Sequence, residues 1–168
     1  HSHGVFRQMR QDKEPRAVIH HDNTLRGVTI HGLDSIMSID GQGCITGLLD
    51  DGKLFRWCRE SGITRMDSPC DSINYFHSNT RGDIAAQCSS AGQTDRVLFI
   101  SQGELQILDD FGYGIVSVNG INDKQDIIGQ AVIRPGVSHG FAICDNELFD
   151  LGSLGGPGSV AKDINNHG

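Results

Sequence analysis

Proline is scarce, at 4 of 168 residues, and aromatic side chains make up only 6% of the chain, with a single tryptophan. Basic charge is also short: 14 Lys and Arg stand against 21 Asp and Glu, a net charge of −7. So few prolines argue against an extended linker, and the acidic balance argues against non-specific nucleic-acid binding or attraction to an anionic membrane. No apolar run approaches the roughly 18 residues that a spanning helix needs, so no membrane span is expected. No stretch keeps a helical period between capping residues, and helix is expected almost nowhere. No two cysteines are spaced Cys-x-x-Cys, so a structural zinc site is not signalled. The chain opens at His1 without an initiator Met or a signal-peptide pattern, which reads as a processed product or a fragment.

What is abundant is glycine. The 22 glycines are nearly twice the usual share of ~7%, and with little proline they point to many tight turns. Five cysteines, Cys44, Cys58, Cys70, Cys88 and Cys144, leave at least one thiol free. Four of them lie in or beside apolar runs and read as small buried side chains. Only proximity speaks for a disulfide, such as Cys58–Cys70. Among eight histidines, His3, His20, His21 and His31 crowd the N-terminal segment. His20 and His21 would face opposite ways on a strand, so a shared metal ion is not expected.

One motif recurs. Ile39-Asp40-Gly41-Gln42-Gly43-Cys44-Ile45 returns as Ser78-Asn79-Thr80-Arg81-Gly82-Asp83-Ile84. It returns again as Ile121-Asn122-Asp123-Lys124-Gln125-Asp126-Ile127, and begins once more at Ile164-Asn165-Asn166-His167-Gly168. Asn or Asp followed by polar residues and Gly is turn chemistry, because these side chains bond their own backbone and Gly accepts the left-handed position. Each copy therefore predicts a hairpin. Short strands carrying an aromatic keep the same period at Phe6, Phe55, Phe99 and Phe141. A further strand follows each of the last three, at 61–64, 102–108 and 145–151. The reading is all-β, a β-propeller-like array of about four four-stranded repeats of ~43 residues. Their approximate bounds are 1–38, 39–77, 78–120 and 121–163, and 164–168 starts the next repeat or completes the first. An evenly spaced β-sandwich and a β-solenoid are the alternatives. The two ends together nearly complete one repeat, so pairing of the termini would close a small ring. A fragment of a longer array, or a homo-oligomer through an open blade edge, is the other solution.

The third repeat runs on through Ser138-His139-Gly140-Phe141 to Phe149-Asp150-Leu151-Gly152-Ser153-Leu154-Gly155-Gly156, then Ser159 and Ile164-Asn165. This string resembles the bacterial HAF-repeat family, with Gly140 in place of its Ala and Ser153 in place of its Thr. The match is close over 120–168, moderate over 1–6 and 36–60, and weak over 61–119. The resemblance implies a propeller-like array and an extracellular or secreted location, and no reaction.

No catalytic set converges. Ser138 and His139 are strand neighbours that point apart, and the histidine is expected to bond a neighbouring backbone. Asp50-Asp51 and Asp109-Asp110 read as solvated turn carboxylates rather than a hydrolytic pair, and Asp40, Asp123 and Asp126 as turn formers rather than calcium ligands. Gly152–Gly158 lacks the Lys-Ser/Thr of a phosphate loop. No catalytic residue, metal or cofactor is assigned. Trp57 shares a strand face with Phe55 and is expected to pack in the core. Tyr75, Tyr113, Phe111 and His139 are the candidate binding residues, because aromatics on loops anchor recognition. The expected role is a non-enzymatic binding or scaffold domain for a protein or glycan. A polysaccharide-acting hydrolase using turn carboxylates, or a structural fragment of a larger secreted protein, is the alternative.

Overall fold

The computed structural model describes residues 4–8, 16–21, 24–108 and 114–168, with side chains from residue 27 onward. The chain divides into two compact units, His1–Ser68 and Pro69–Gly168. Among the described residues there is no helix, and all regular structure is antiparallel sheet.

The first unit carries two sheets. Sheet I has three strands in the order β1 (Gly4–Gln8), β2 (Arg16–His21) and β3 (Thr24–Thr29). Sheet II is a four-stranded meander of β4 (Leu33–Ile39), β5 (Ile45–Leu49), β6 (Leu54–Cys58) and β7 (Gly62–Met66). Its core holds Ile30, Leu33, Ile45, Leu49 and the fully buried Phe55, with Trp57 packed against them as expected.

The second unit repeats the meander twice. Sheet III runs β8 (Ser72–Ser78), β9 (Ile84–Ser89), β10 (Arg96–Ser101) and β11 (Glu104–Leu108). Sheet IV runs β12 (Gly114–Ile121), β13 (Ile127–Arg134), β14 (Val137–Cys144) and β15 (Glu147–Asp150). β12 lies against β8 and β9, and the core between the two sheets joins Ala85, Val97 and Leu108 to Ile115, Val118, Ile127, Phe141 and Ile143. Residues 151–161 then return along sheet IV. The Leu151 amide donates to the Gly140 carbonyl (2.9 Å), and the Ser159 amide donates to that of Ser138 (3.0 Å).

The strand register corrects the aromatic period. Gly47 opposes Phe55 and Gly129 opposes Phe141, but the equivalent pair in sheet III is Ala86 with Leu98. Leu98, not Phe99, fills the core position, and Phe99 turns to the other face. The exchange conserves volume: the large ring sits over glycine and the smaller leucine over alanine. A Cβ on Gly129 would stand 2.1 Å from the Ser117 carbonyl oxygen and 2.7 Å from the Phe141 ring. A Cβ on Gly47 would stand 2.2 Å from the Ser35 oxygen and 2.9 Å from the Phe55 ring.

The cysteines also depart from expectation. Cys44 pairs with Cys58 across β5 and β6, and Cys70 pairs with Cys88, so the sequence neighbours Cys58 and Cys70 are not bonded to each other. Sheet register, rather than distance along the chain, brings each pair together, with Cα atoms 4.4 and 5.3 Å apart. Cys144 is the free thiol. Closing loops with separations of 14 and 18 residues stabilises by about 3 kcal/mol each in the chain-entropy account. Two disulfides indicate an oxidising environment.

The glycine–phenylalanine pairing gives a direct test. Gly129→Ala should lower stability by about 2–3 kcal/mol in urea unfolding, because neither the backbone oxygen nor the buried ring can yield. Ala86→Gly should lower it by about 1 kcal/mol or less. An unchanged midpoint for Gly129→Ala would contradict the packing.

Candidate functional site

The four turns share one geometry. In each complete copy the first residue's side-chain oxygen accepts two backbone N–H groups. Asp40 takes those of Gln42 and Cys44 (both 2.9 Å), Asn79 those of Arg81 (3.0 Å) and Asp83 (2.9 Å), and Asn122 those of Lys124 and Asp126 (both 2.9 Å). Asn165 accepts from His167 at 2.8 Å in the same manner.

The asparagine amides then link successive repeats. Asn79 Nδ2 donates to Asp83 (2.8 Å) and to the carbonyl of Asn122 (3.0 Å), 43 residues on. Asn122 Nδ2 donates to Asp126 (2.7 Å) and to the carbonyl of Asn165 (3.1 Å), again 43 residues on. A second rung lies outside it. Asp123 accepts from the Thr80 amide (3.0 Å) and hydroxyl (2.8 Å), and Asn166 Nδ2 donates to it at 2.7 Å. Asp40 has no amide to donate. Its other oxygen accepts from the Arg56 guanidinium at 2.6 Å, in a pair largely shielded from solvent.

These contacts decide the chemistry of the turn carboxylates. Burial opposes ionisation of Asp83, but hydrogen bonds from Ser101, Asn79, Arg81 and Gln125 outweigh it and hold its carboxyl below the ordinary value. Asp123 is lowered chiefly by the Thr80 hydroxyl. In the first unit Asp51 accepts the Lys53 amide (3.0 Å), as a turn carboxylate should. Asp109 and Asp110 lie outside the described residues. The oxygens of Asp40, Asp83, Asp123 and Asp126 are thus engaged in shaping turns rather than aimed at a substrate.

Of the candidate binding residues, Tyr113 and Phe111 lie outside the described residues. Tyr75 lies in β8, where the pairing with β9 skips from Asn74 to His77 and leaves Tyr75 and Phe76 in a bulge. Tyr75 has φ 47° and is 59% exposed, and Phe76 is 37% exposed. A left-handed backbone at a bulky non-glycine residue is unfavourable by about 1–2 kcal/mol. Here it turns two aromatic side chains outward at adjacent positions, and bulges are a common means of re-aiming side chains.

His139 sits on β14. Its Nδ1 lies 2.9 and 3.1 Å from the two carboxylate oxygens of Asp150. The expected backbone partner is therefore replaced by a cross-strand carboxylate, which the sequence does not announce because Asp150 lies 11 residues away. Asp150 also accepts the Gly152 amide at 2.8 Å, and that bond first, then His139, lowers its pKa. The pair anchors the start of the 151–161 return, where the Ser159 hydroxyl accepts the Gly140 amide (2.9 Å) and donates to the Gly152 carbonyl. His139 is thus engaged in structure and is not brought together with Tyr75.

A small cleft opens in the second unit between sheets III and IV. It encloses about 240 Å³ and is lined by Phe99, Gln106, Leu108, Lys124, Gln125, Ile127, Ile143, Asp145 and Asn146. Sequence reading missed it, because Phe99 occupies the motif's core position in sequence and leaves it only through the register.

No protein-family profile matches the chain, and no curated protein matches it. A crystal structure of Porphyromonas gingivalis dipeptidyl peptidase 4 is similar in fold, with a TM-score of 0.57 at 12% identity over 93% of this chain. This chain spans 28% of the length of that one. At such identity the likeness is one of fold alone.

Asp83 supplies a pH test. Its folded pKa lies below the ordinary 3.8, so its stabilising contribution is present above about pH 4 and is lost as the pH falls through the folded pKa. Asp83→Asn should flatten the acid limb of a stability-against-pH curve below pH 4, measured by urea midpoints. An acid limb as steep as that of the unmodified protein would contradict the assignment.

Proposed function

We propose that this chain is a β-propeller-like repeat domain of secreted, HAF-repeat type, which recognises a protein or glycan partner without transforming it. The observation that carries the reading is the Tyr75–Phe76 bulge. A register shift recurs at this place in β4 and β12, but in β8 alone it carries a left-handed residue, Tyr75, beside a second exposed aromatic, and such strain concentrates at functional sites. Aromatic anchors of this kind dominate recognition energetics.

The propeller reading is supported by three four-stranded meanders and by side-chain rungs that return after 43 residues. Secretion is supported by the two disulfides.

Substitution at Tyr75 separates binding from folding. Tyr75→Gly relieves the left-handed backbone and should leave the urea midpoint no lower than before. The same change should weaken binding to a ligand found on glycan or surface-protein arrays at least tenfold. Binding that survives Tyr75→Gly would remove the bulge from the site, and turnover of an arrayed polysaccharide would overturn the non-enzymatic reading.

A further inference from the structure

The three complete repeats serve as controls for one another. Where one departs from the others the departure asks for a reason, and three such departures meet at the 240 Å³ cleft. The first is Phe99. Its register equivalents are Arg56 in sheet II and Ala142 in sheet IV, where the ring on this face comes instead from Phe149 on the neighbouring strand. Phe99 leans on the core of the second unit on one side and forms cleft wall on the other. The second is Gln106, whose equivalents are Thr64 and Phe149.

The third is Gln125, which stands where the other turns have Gly43, Gly82 and Gly168. It keeps the left-handed backbone with φ 71°, a conformation that favours glycine. Its side-chain nitrogen donates to Asp83 at 3.2 Å, which holds the amide in one orientation at the cleft wall. Asp145 and Asn146, the two left-handed residues of the β14–β15 hairpin, bring a carboxylate and a second amide-bearing side chain to the same sheet IV side of the cleft.

We infer that this cleft binds a single pyranose ring, the terminal sugar of a glycan. The volume lies below the roughly 300–1,000 Å³ of sites for drug-sized ligands. The lining suits a compact polyhydroxyl molecule. A pyranose has one apolar C–H face, which the half-buried Phe99 ring can cover, above a floor formed by the core residues Leu108, Ile127 and Ile143. Its rim of hydroxyls both donates and accepts, and Gln106, Gln125 and Asn146 carry groups of both kinds, while Asp145 accepts. Chemistry on the sugar is not implied, since Asp145 is the single carboxylate in the lining and glycoside hydrolysis uses two. The inference shares with the proposed function only the view of the domain as a binding module, and it concerns a different surface from Tyr75.

The test is NMR titration of the full 15N-labelled chain with methyl pyranosides of glucose, galactose and mannose and with N-acetylglucosamine, up to tens of millimolar. At least one sugar should give saturable shifts at the backbone amides of Gln106, Gln125, Asp145 and Asn146. Gln106→Ala and Asp145→Asn should each weaken that binding at least fivefold. Both keep the strand or turn intact, since Gln106 is exposed and Asn accepts the left-handed turn position. Phe99→Ala should abolish it. Tyr75→Gly should leave it unchanged, so a failure of the Tyr75 surface and a failure of the cleft are read separately. No saturable shift with any of the four sugars, or binding that survives both Gln106→Ala and Asp145→Asn, would overturn the inference.

Discussion

The arrangement of the second unit depends on the hydrogen-bonding capacity of one side chain. A primary amide has two donors and two acceptor lone pairs, and Asn79 and Asn122 engage all four. Two bonds fold the chain back on itself within the turn. One donor holds the Asp four residues on. The other reaches the same turn of the next repeat. Asn122 is only 3% exposed, so each of these groups would be left without water if its partner were removed. The 43-residue period is thus the distance along the chain at which a second identical turn meets the first.

Variation among the repeats obeys that constraint. Where the turn opens with Asn, an Asp follows four residues later and accepts its amide. Where it opens with Asp40, the fourth residue is Cys44, and two carboxylates do not face each other. The same position and its cross-strand partner are joined in every complete repeat by different chemistry. They form the Cys44–Cys58 disulfide in sheet II and a hydrogen bond from Ser101 to Asp83 (2.5 Å) in sheet III. In sheet IV they are the Asp126 and Cys144 side chains, which hydrogen-bond to one another. Burial, then the charge and hydrogen bond of Asp126, raise the Cys144 thiol pKa and keep it protonated. A protonated thiol is a poor nucleophile, which suits an unpaired cysteine in an oxidising environment.

Much of this was legible in the residues. The turn motif, its period, and the four-stranded content of the later repeats follow from Asn and Gly chemistry and from short runs of Ile, Val, Leu and Phe. Other features were not. A strand's side chains alternate faces, so a shift of one residue moves an aromatic from core to surface, and Phe99 is misread for that reason. Cysteine pairing follows strand register, which proximity in sequence does not encode, so Cys44, Cys58 and Cys88, read as plain buried side chains, are disulfide-bonded, and the Cys58–Cys70 pair that proximity allowed is not formed. The Tyr75 bulge and the His139–Asp150 pair depend on how two strands meet, which no local pattern states.

The central claim is that the asparagine amide couples one repeat to the next, and Asn122→Asp tests it most directly. The substitution keeps the oxygen that accepts the Lys124 and Asp126 amides and removes the donors to the Asp126 carboxylate and the Asn165 carbonyl, so it is made together with Asp126→Asn, which restores the contact within the turn and leaves only the bond to the next repeat missing. Native-state hydrogen exchange on the full chain at neutral pH should show protection lost at the His167 and Gly168 amides, while the Arg81 and Asp83 amides of the preceding turn keep theirs. Unchanged protection at His167 and Gly168 would contradict the account.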